Sequence, residues 1–451
     1  MPIEPFRFIH AANLFLDHQL RGVGSVSDAV RDEVEKATLT AWNRIVEASI
    51  VQQVDFLLLA GNSFDATDHS LTGQVALIEG LKKLEEYDIP VFIAPGVADP
   101  DMAWRLGLAL PENVVRFGGE LSEPVVLSKN GRRFCTIHHV MANIRDLDAS
   151  DGNGLDELAV FAPQFGPNEA GPFDIALLES VTNDAALPPE LADSEHVAVQ
   201  EALRGRPPHV TKPPFDPDVV ARCPIEYWAL GDGLKRQAWR VGRGIAHTPG
   251  VPQGLSMADT GILGCSLIEV DGDGQIRDSI IPTSRVRWEK IDLTLQPQAT
   301  RESALQQLRS AFSAIPRTMN DEIWLVDLTI SGSGRLFLDL KDSDTCHRLW
   351  NEAVPVINGS QVEIILRRVR CSDPADELPG NDFLTQEFVR QVQLRGAVPA
   401  EAALRVLAES EFADSPWSNR LQAILPELDI EEVIQDSQRI GLSWLRNSNA
   451  G

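Results

Sequence analysis

Five short segments, each closing an apolar run, carry the residues best placed for chemistry. They are HAANLFLD at 10 to 17, AGNSFD at 60 to 65, PGVADP at 95 to 100, ALLES at 176 to 180 and ALGDGLKRQ at 229 to 237. Hydrolysis of a phosphodiester by two metals needs oxygen and imidazole ligands converging from several strand ends, with the ions about 3.5 to 4 Å apart. Asn13 and Asn62 offer neutral oxygens, and Glu179 and Asp232 offer charged ones. Phe15, Val97, Ala98 and Leu234, interleaved with them, offer no lone pair to a divalent ion. The best surviving oxygen set is Asn62, Glu179 and Asp232, suited to at most one weakly held hard ion such as Mg2+, Mn2+ or Ca2+. The plainer reading is that the two acids pair with Lys235 or Arg236, or stand solvated, and that no cofactor is held.

Other reactive side chains fit this chemistry less well. His138 and His139 follow the strand-like RFCTI, and adjacent residues of an extended segment point to opposite faces. At most one can therefore reach a common centre, and packing or hydrogen bonding is the simpler role. His10 reads as a buried, hydrogen-bonded scaffold residue, and the remaining histidines are isolated. Ser63, Ser180 and Cys135 have no His-Asp pair at an evident partner position, so a nucleophile is unsupported. GVGS at 22 to 25 and SGSG at 331 to 334 lack the lysine of a phosphate-binding loop and read as turns. The tryptophans, Trp42, Trp104, Trp228 and Trp288 among them, sit in patterned segments suited to packing rather than base stacking.

The elements that must position these loops follow from periodicity. Residues 6 to 16 read as a buried strand entering a loop, and Asp28 to Gln53 carries apolar residues at helical spacing. VDFLLLA, a helical stretch from about Leu71 to Tyr87, and IPVFIA repeat the alternation, which implies parallel pairing and an α/β layered fold. In such sheets ligands bind outside the carboxyl ends of the strands, where all five loops fall, those after FDIALL and EYWAL included. Asn183 to Asp218 is rich in Pro and polar residues and reads as a surface excursion. CSLIEVDGDGQIRDSIIP reads as a hairpin turned at Asp271-Gly272-Asp273-Gly274. Organisation changes near Arg285. The expected domains are a layered body at 1 to 285, an α+β module at 286 to 372 and a helical region at 373 to 451.

A chain of 451 residues with a net charge of -26 and a pI near 4.7 is a poor stand-alone nucleic-acid binder. Its basic clusters are short: Arg132-Arg133, Lys235-Arg236 with Arg240 and Arg243, and Arg367-Arg368 with Arg370. They suit solvated or ion-paired arginines. The five cysteines are widely spaced and form no CxxC pair, as for reduced thiols. The amino terminus lacks a secretory apolar region and no membrane-length apolar run occurs, so a soluble cytoplasmic protein without membrane contact is expected.

In order and spacing the five loops resemble the motifs of calcineurin-like metallophosphoesterases, specifically DNA-repair exonucleases of the SbcD and YhaO type. There they read HxADxHLD, AGDxFD, PGNHDP, ALLHT and ALGHxHKRQ. The resemblance extends to ENVVRFGG and PGVPQG and continues weakly beyond. It implies a layered sheet sandwich flanked by helices, with a small capping domain and a helical C-terminal tail. It also implies that metal ligands have been replaced: Asp by Asn13, His by Phe15, the bridging Asp by Asn62 and Asn by Val97. The His that helps protonate the leaving group is Ala98, and the later His positions hold Glu179, Asp232 and Leu234. Scaffold positions survive at His10, Asp17, Gly61, Phe64, Asp65, Gly96, Asp99, Gly231, Lys235, Arg236 and Gln237.

The resemblance thus implies a pseudo-nuclease. Without a metal in the half-site lined by Asn13, Phe15, Asn62 and Leu234, water keeps a pKa far above neutrality. A missing general acid removes a further factor of roughly 100 to 10,000. Family members dock an SMC-like ATPase of the SbcC or YhaN type through their C-terminal helices, so the same partner is expected here. Homodimerisation stays open, and direct DNA contact has weak support. The alternative activity is a remodelled one-metal phosphoesterase acting through Asn62, Glu179 and Asp232.

Overall fold

The computed structural model describes residues 3–68, 70–104, 109–118, 123–140, 172–178, 225–231, 233–354 and 362–372. Glu179, Ser180, Asp232, the excursion at 183 to 218 and the helices expected after residue 379 lie outside the described residues. Two compact units are present. The first comprises Met1–Gln19, Ser27–Arg287 and Thr318–Asp321, and the second Leu20–Val26, Trp288–Arg317 and the chain from Glu322.

The first unit begins with β1 (Phe6–Ala11), α1 (Asp28–Glu35), α2 (Ala37–Val51), β2 (Phe56–Ala60), α3 (Leu71–Glu85), β3 (Val91–Ala94), the short α4 (Asp101–Trp104) and β4 (Val114–Arg116). Then come β5 (Val125–Lys129), β6 (Arg132–Val140), β7 (Asp174–Leu178), β8 (Tyr227–Ala229), β9 (Gln237–Val241), β10 (Gly244–Thr248), β11 (Gly264–Val270) and β12 (Ile276–Pro282). One six-stranded sheet has the order β12-β11-β1-β2-β3-β4, and a second has the order β5-β6-β7-β8-β10-β9. β1 to β4 are parallel, as are β6, β7, β8 and β10, so their carboxyl ends share a rim in each sheet.

Side-chain alternation produces the layers. On β1, β2 and β3, Phe8, Phe56, Leu58 and Phe92 face an aromatic core shared with Ile137, Phe173, Ile175 and Tyr227 of the second sheet. Ile9, Leu57, Leu59 and Ile93, one residue out of phase, join Trp42, Ile45, Leu77 and Leu81 of α2 and α3. The strands are therefore buried on both faces, which is why they read as continuous apolar runs. The helical stretch from Asp28 runs as two helices, interrupted at Lys36, whose φ of -93° and ψ of 2° leave the helical region. Trp42 donates Nε1–H to the Ala76 carbonyl at 3.0 Å and lies against Gly80, where any Cβ would meet the indole. The expected β11–β12 hairpin turns at Asp271–Gly274, with Gly274 at φ 77°.

The second unit contains most of β13 (Val286–Leu295), α5 (Arg301–Ala314), β14 (Ile323–Gly332), α6 (Arg335–Leu340), α7 (Ser343–Ala353) and β15 (Glu363–Ser372). Its sheet has the order β13-β14-β15. Every second residue of β14, Trp324 to Ile330, shares a core with Leu308 and Phe312 of α5 and Leu349 and Trp350 of α7. The Arg367 guanidinium is committed to Asp327 and the Gly22 carbonyl rather than presented to a ligand.

Candidate functional site

The loop after β1 leaves the strand through alternate left-handed residues, Asn13 at φ 54°, Phe15 at 42° and Asp17 at 64°. Such values are uncommon for residues with a side chain and mark a backbone held by its surroundings. The holding bonds are backbone ones: Asn13 and Phe15 N–H donate to the Gly61 and Asn62 carbonyls at 3.0 and 3.1 Å, and Leu16 N–H to Ser63 at 3.1 Å. The loop after β2 is itself left-handed at Gly61 and Asn62, φ 80° and 55°. A Cβ at Gly96 would lie 2.5 Å from the Asn62 backbone nitrogen, so the loop after β3 packs backbone to backbone against it.

Asp99 ties these loops together. Its Oδ1 accepts from Asn62 N–H at 2.8 Å and Gly96 N–H at 2.7 Å, and its Oδ2 from Ser63 N–H at 2.8 Å. Burial pushes the carboxyl up to about 7 although the three amide donors act the other way.

Above this clamp the structure brings Asn13, Asn62 and Ala98 together. Asn62 Nδ2 donates to Asn13 Oδ1 at 2.7 Å, and the Ala98 N–H donates to Asn62 Oδ1 at 2.9 Å. Asn13 Nδ2 donates to the Gly233 carbonyl at 3.0 Å, drawing in the loop after β8. Both amide oxygens thus already accept N–H donors. Asn13, Phe15, Asn62 and Ala98 are buried, and Val97 and Leu234 are half-buried. The described side chains do not fit a two-metal centre. Two are neutral amides bonded to one another, and Phe15, Val97, Ala98 and Leu234 carry no donor atom for an ion.

The remaining candidates have structural partners. His10 Nδ1 lies 2.9 Å from the Tyr227 hydroxyl, and its ring stands 5.7 Å from that of His247. Burial, then the neighbouring His247, holds His10 well below the ordinary imidazole range. His247 is lowered to about 4 by burial, then by Arg236, with Asp278 opposing. His138 and His139 point apart: one lies 2.9 Å from Asp174, and the other stacks on Phe117 with centroids 5.2 Å apart. Burial, then Asp174 and Glu226, pushes the Cys135 thiol well up, which leaves it a poor nucleophile. Arg236 pairs with Asp278, Arg243 with Glu226 and Lys129 with Asp55.

One group escaped the sequence reading. His18, taken as isolated, lies with Asp65 and Asp68, and one ligating atom from each falls within 4.8 Å of the others. His18 directly follows the first loop, and Asp65 and Asp68 stand three apart at the end of the second, which was the available signal. Ser70 fastens the two segments together, donating its hydroxyl to Asp17 Oδ2 at 2.5 Å while capping α3 by accepting from Gly73 N–H at 3.0 Å. Ser70→Ala is expected to lower stability by about 1 kcal/mol, read as the urea midpoint at constant m-value.

Among curated proteins the chain resembles the uncharacterized metallophosphoesterase YhaO of Bacillus subtilis, with 26% identity over 308 residues covering 68% of each chain. It also resembles the DNA double-strand break repair protein Mre11 of Saccharolobus solfataricus, 30% identical over 83 residues, 18% of this chain and 21% of that one. A dimetal phosphatase from Danio rerio aligns with 63% of this chain and 100% of its own at 10% identity and a TM-score of 0.31. No family model matches the chain. With likeness running through two thirds of both chains, the chain shows metallophosphoesterase homology to YhaO and, over a shorter stretch, to Mre11.

Proposed function

We propose that the chain is a catalytically inactive relative of a DNA double-strand-break repair exonuclease, a pseudo-nuclease that serves as a structural, partner-binding or DNA-end-binding subunit. The observation that carries the reading is the amide pair: Asn62 and Asn13 bond to each other and to backbone groups, supplying none of the negative charge that a pair of divalent ions needs. Ala98 has no proton to give a leaving group, which alone removes roughly 100 to 10,000-fold in rate where an imidazole performs that step.

The partner follows from family resemblance. The region from residue 373 is proposed to dock an SMC-like ATPase of the SbcC or YhaN type, and the module at 286 to 372 to act as a cap. A net charge of -26 makes it fitting that such a partner, rather than this chain alone, supplies most of the grip on DNA phosphates.

Purified protein with Mn2+ or Mg2+ is expected to hydrolyse single-stranded DNA, double-stranded DNA and bis(p-nitrophenyl) phosphate no faster than the metal-only blank. Metal-dependent turnover abolished by Glu179→Gln and Asp232→Asn would replace this reading with a one-metal phosphoesterase. Separate elution of the chain and the ATPase after mixing would remove the partner assignment.

A further inference from the structure

We propose that His18, Asp65 and Asp68 form a divalent-metal site, best suited to Zn2+, that lies outside the degenerate centre and fastens the loop after β1 to the segment leading into α3. The donor set is one imidazole and two carboxylates, a combination taken by Zn2+ and, more weakly, by Mn2+. His18 Nδ1 lies 3.0 Å from Asp68 Oδ2, and the three ligating atoms fall within 4.8 Å of one another. Ligands around a tetrahedral ion at about 2.0 to 2.1 Å stand about 3.4 Å apart, so the set needs to close by about an ångström. Asp68 can supply that movement because it is exposed, whereas His18 and Asp65 are buried.

The surroundings orient the donors. Asp65 Oδ1 accepts from Thr67 N–H at 2.9 Å and from the Thr67 hydroxyl at 2.6 Å, which fixes the plane of its carboxylate. Asp68 N–H reaches the Asp65 carbonyl at 3.2 Å, so a turn sets the two acids together. Across from them, His18 N–H donates to the Phe15 carbonyl at 3.0 Å, and the His18 and Phe15 rings lie 6.1 Å apart. Oriented outer partners of this kind are what metal-binding residues use to hold their geometry. The arrangement gathers two carboxylates around one imidazole, with His18 and Asp65 buried. With Asp68 at the surface, an ion can reach the site from solvent.

This site is separate from the proposed loss of catalysis and is tested by binding rather than turnover. The full chain, stripped with chelator, is titrated with ZnCl2 by calorimetry and melted with and without the metal. One Zn2+ per chain and a raised melting temperature are expected, because a ligand bound only by the folded state stabilises it. Asp68→Asn and His18→Gln should each weaken binding at least tenfold, while Asp232→Asn leaves it unchanged. Asp68→Asn alters an exposed residue and keeps the fold, which circular dichroism verifies. Absence of zinc uptake, or uptake equal in wild type and both site variants, would overturn the assignment. Loss confined to Asp232→Asn would place the ion at the degenerate centre instead and also overturn it.

Discussion

Asp99→Ala is expected to lose about 4 kcal/mol of folding stability, read as a fall in urea midpoint. The wild-type carboxylate is fully buried and satisfies three backbone N–H groups, those of Asn62, Ser63 and Gly96. Alanine leaves all three without an acceptor in a place water does not reach, at about 1 to 3 kcal/mol each and less than additively. The loss spreads, because Asn62 and Gly96 lie on two different loops that Asp99 bonds together, and Trp104 Nε1 donates to the Asp99 carbonyl at 2.9 Å. Asp99→Asn keeps one acceptor oxygen but turns an amide toward an N–H, so it should cost roughly half as much. Equal stability of wild type and Asp99→Ala would mean that the loops are held by their backbone bonds alone.

The second large effect is acid lability centred on His247. Its folded pKa is lowered to about 4 from an ordinary 6.5, first by burial and then by Arg236. Above pH 6.5 both folded and unfolded states are neutral at this group and nothing is gained or lost. As pH falls below 6.5 the unfolded imidazole takes up a proton that the folded one refuses, so stability declines until pH reaches the folded value. The decline amounts to about 3 kcal/mol by pH 4. His10, also lowered by burial, acts in the same direction. Asp99 acts oppositely: raised to about 7, it takes up a proton in the folded state first, and so adds stability as pH falls from 7 toward 4. The His247 contribution is read by comparing wild type with His247→Gln, in which the Asp99 term is shared and His10 keeps its burial, the larger cause of its shift, losing only the smaller influence of His247. The stability gap between the two proteins should shift in favour of the variant by about 3 kcal/mol from pH 7 to pH 4. A gap independent of pH would show that His247 titrates as it does in the unfolded chain.

These two experiments address the same physical point from different sides. The rim survives as an ordered structure because its polar groups bond to one another: Asp99 to backbone amides, Asn62 to Asn13, His247 Nε2 to the Ser266 hydroxyl at 2.8 Å. These bonds are made by neutral amides and by an imidazole that burial holds neutral.

The amino-acid sequence by itself determined the alternation of strands and helices, and hence that the five loops gather at strand ends. Period-two alternation on a strand buried on both faces leaves continuous apolar runs, and those runs are local signals. It also determined which loop positions lack metal-binding atoms, because Phe15, Val97, Ala98 and Leu234 have none in any conformation. The break at Lys36 between α1 and α2 was not legible, since apolar spacing continues across it. Only the tertiary structure decided that the Asn13 and Asn62 amides spend their oxygens on N–H donors, since these residues meet through parallel pairing of β1 with β2. The same pairing delivers His18 to Asp65 and Asp68 across about fifty residues of chain, so a histidine that is isolated in one dimension becomes part of a ligand set in three. The resemblance placed Asp99 among the scaffold positions, but what it bonds was hidden for a related reason. A carboxylate reads as a ligand or a surface charge until the direction of its oxygens is known, and only packing that turns three backbone N–H groups inward reveals a clamp.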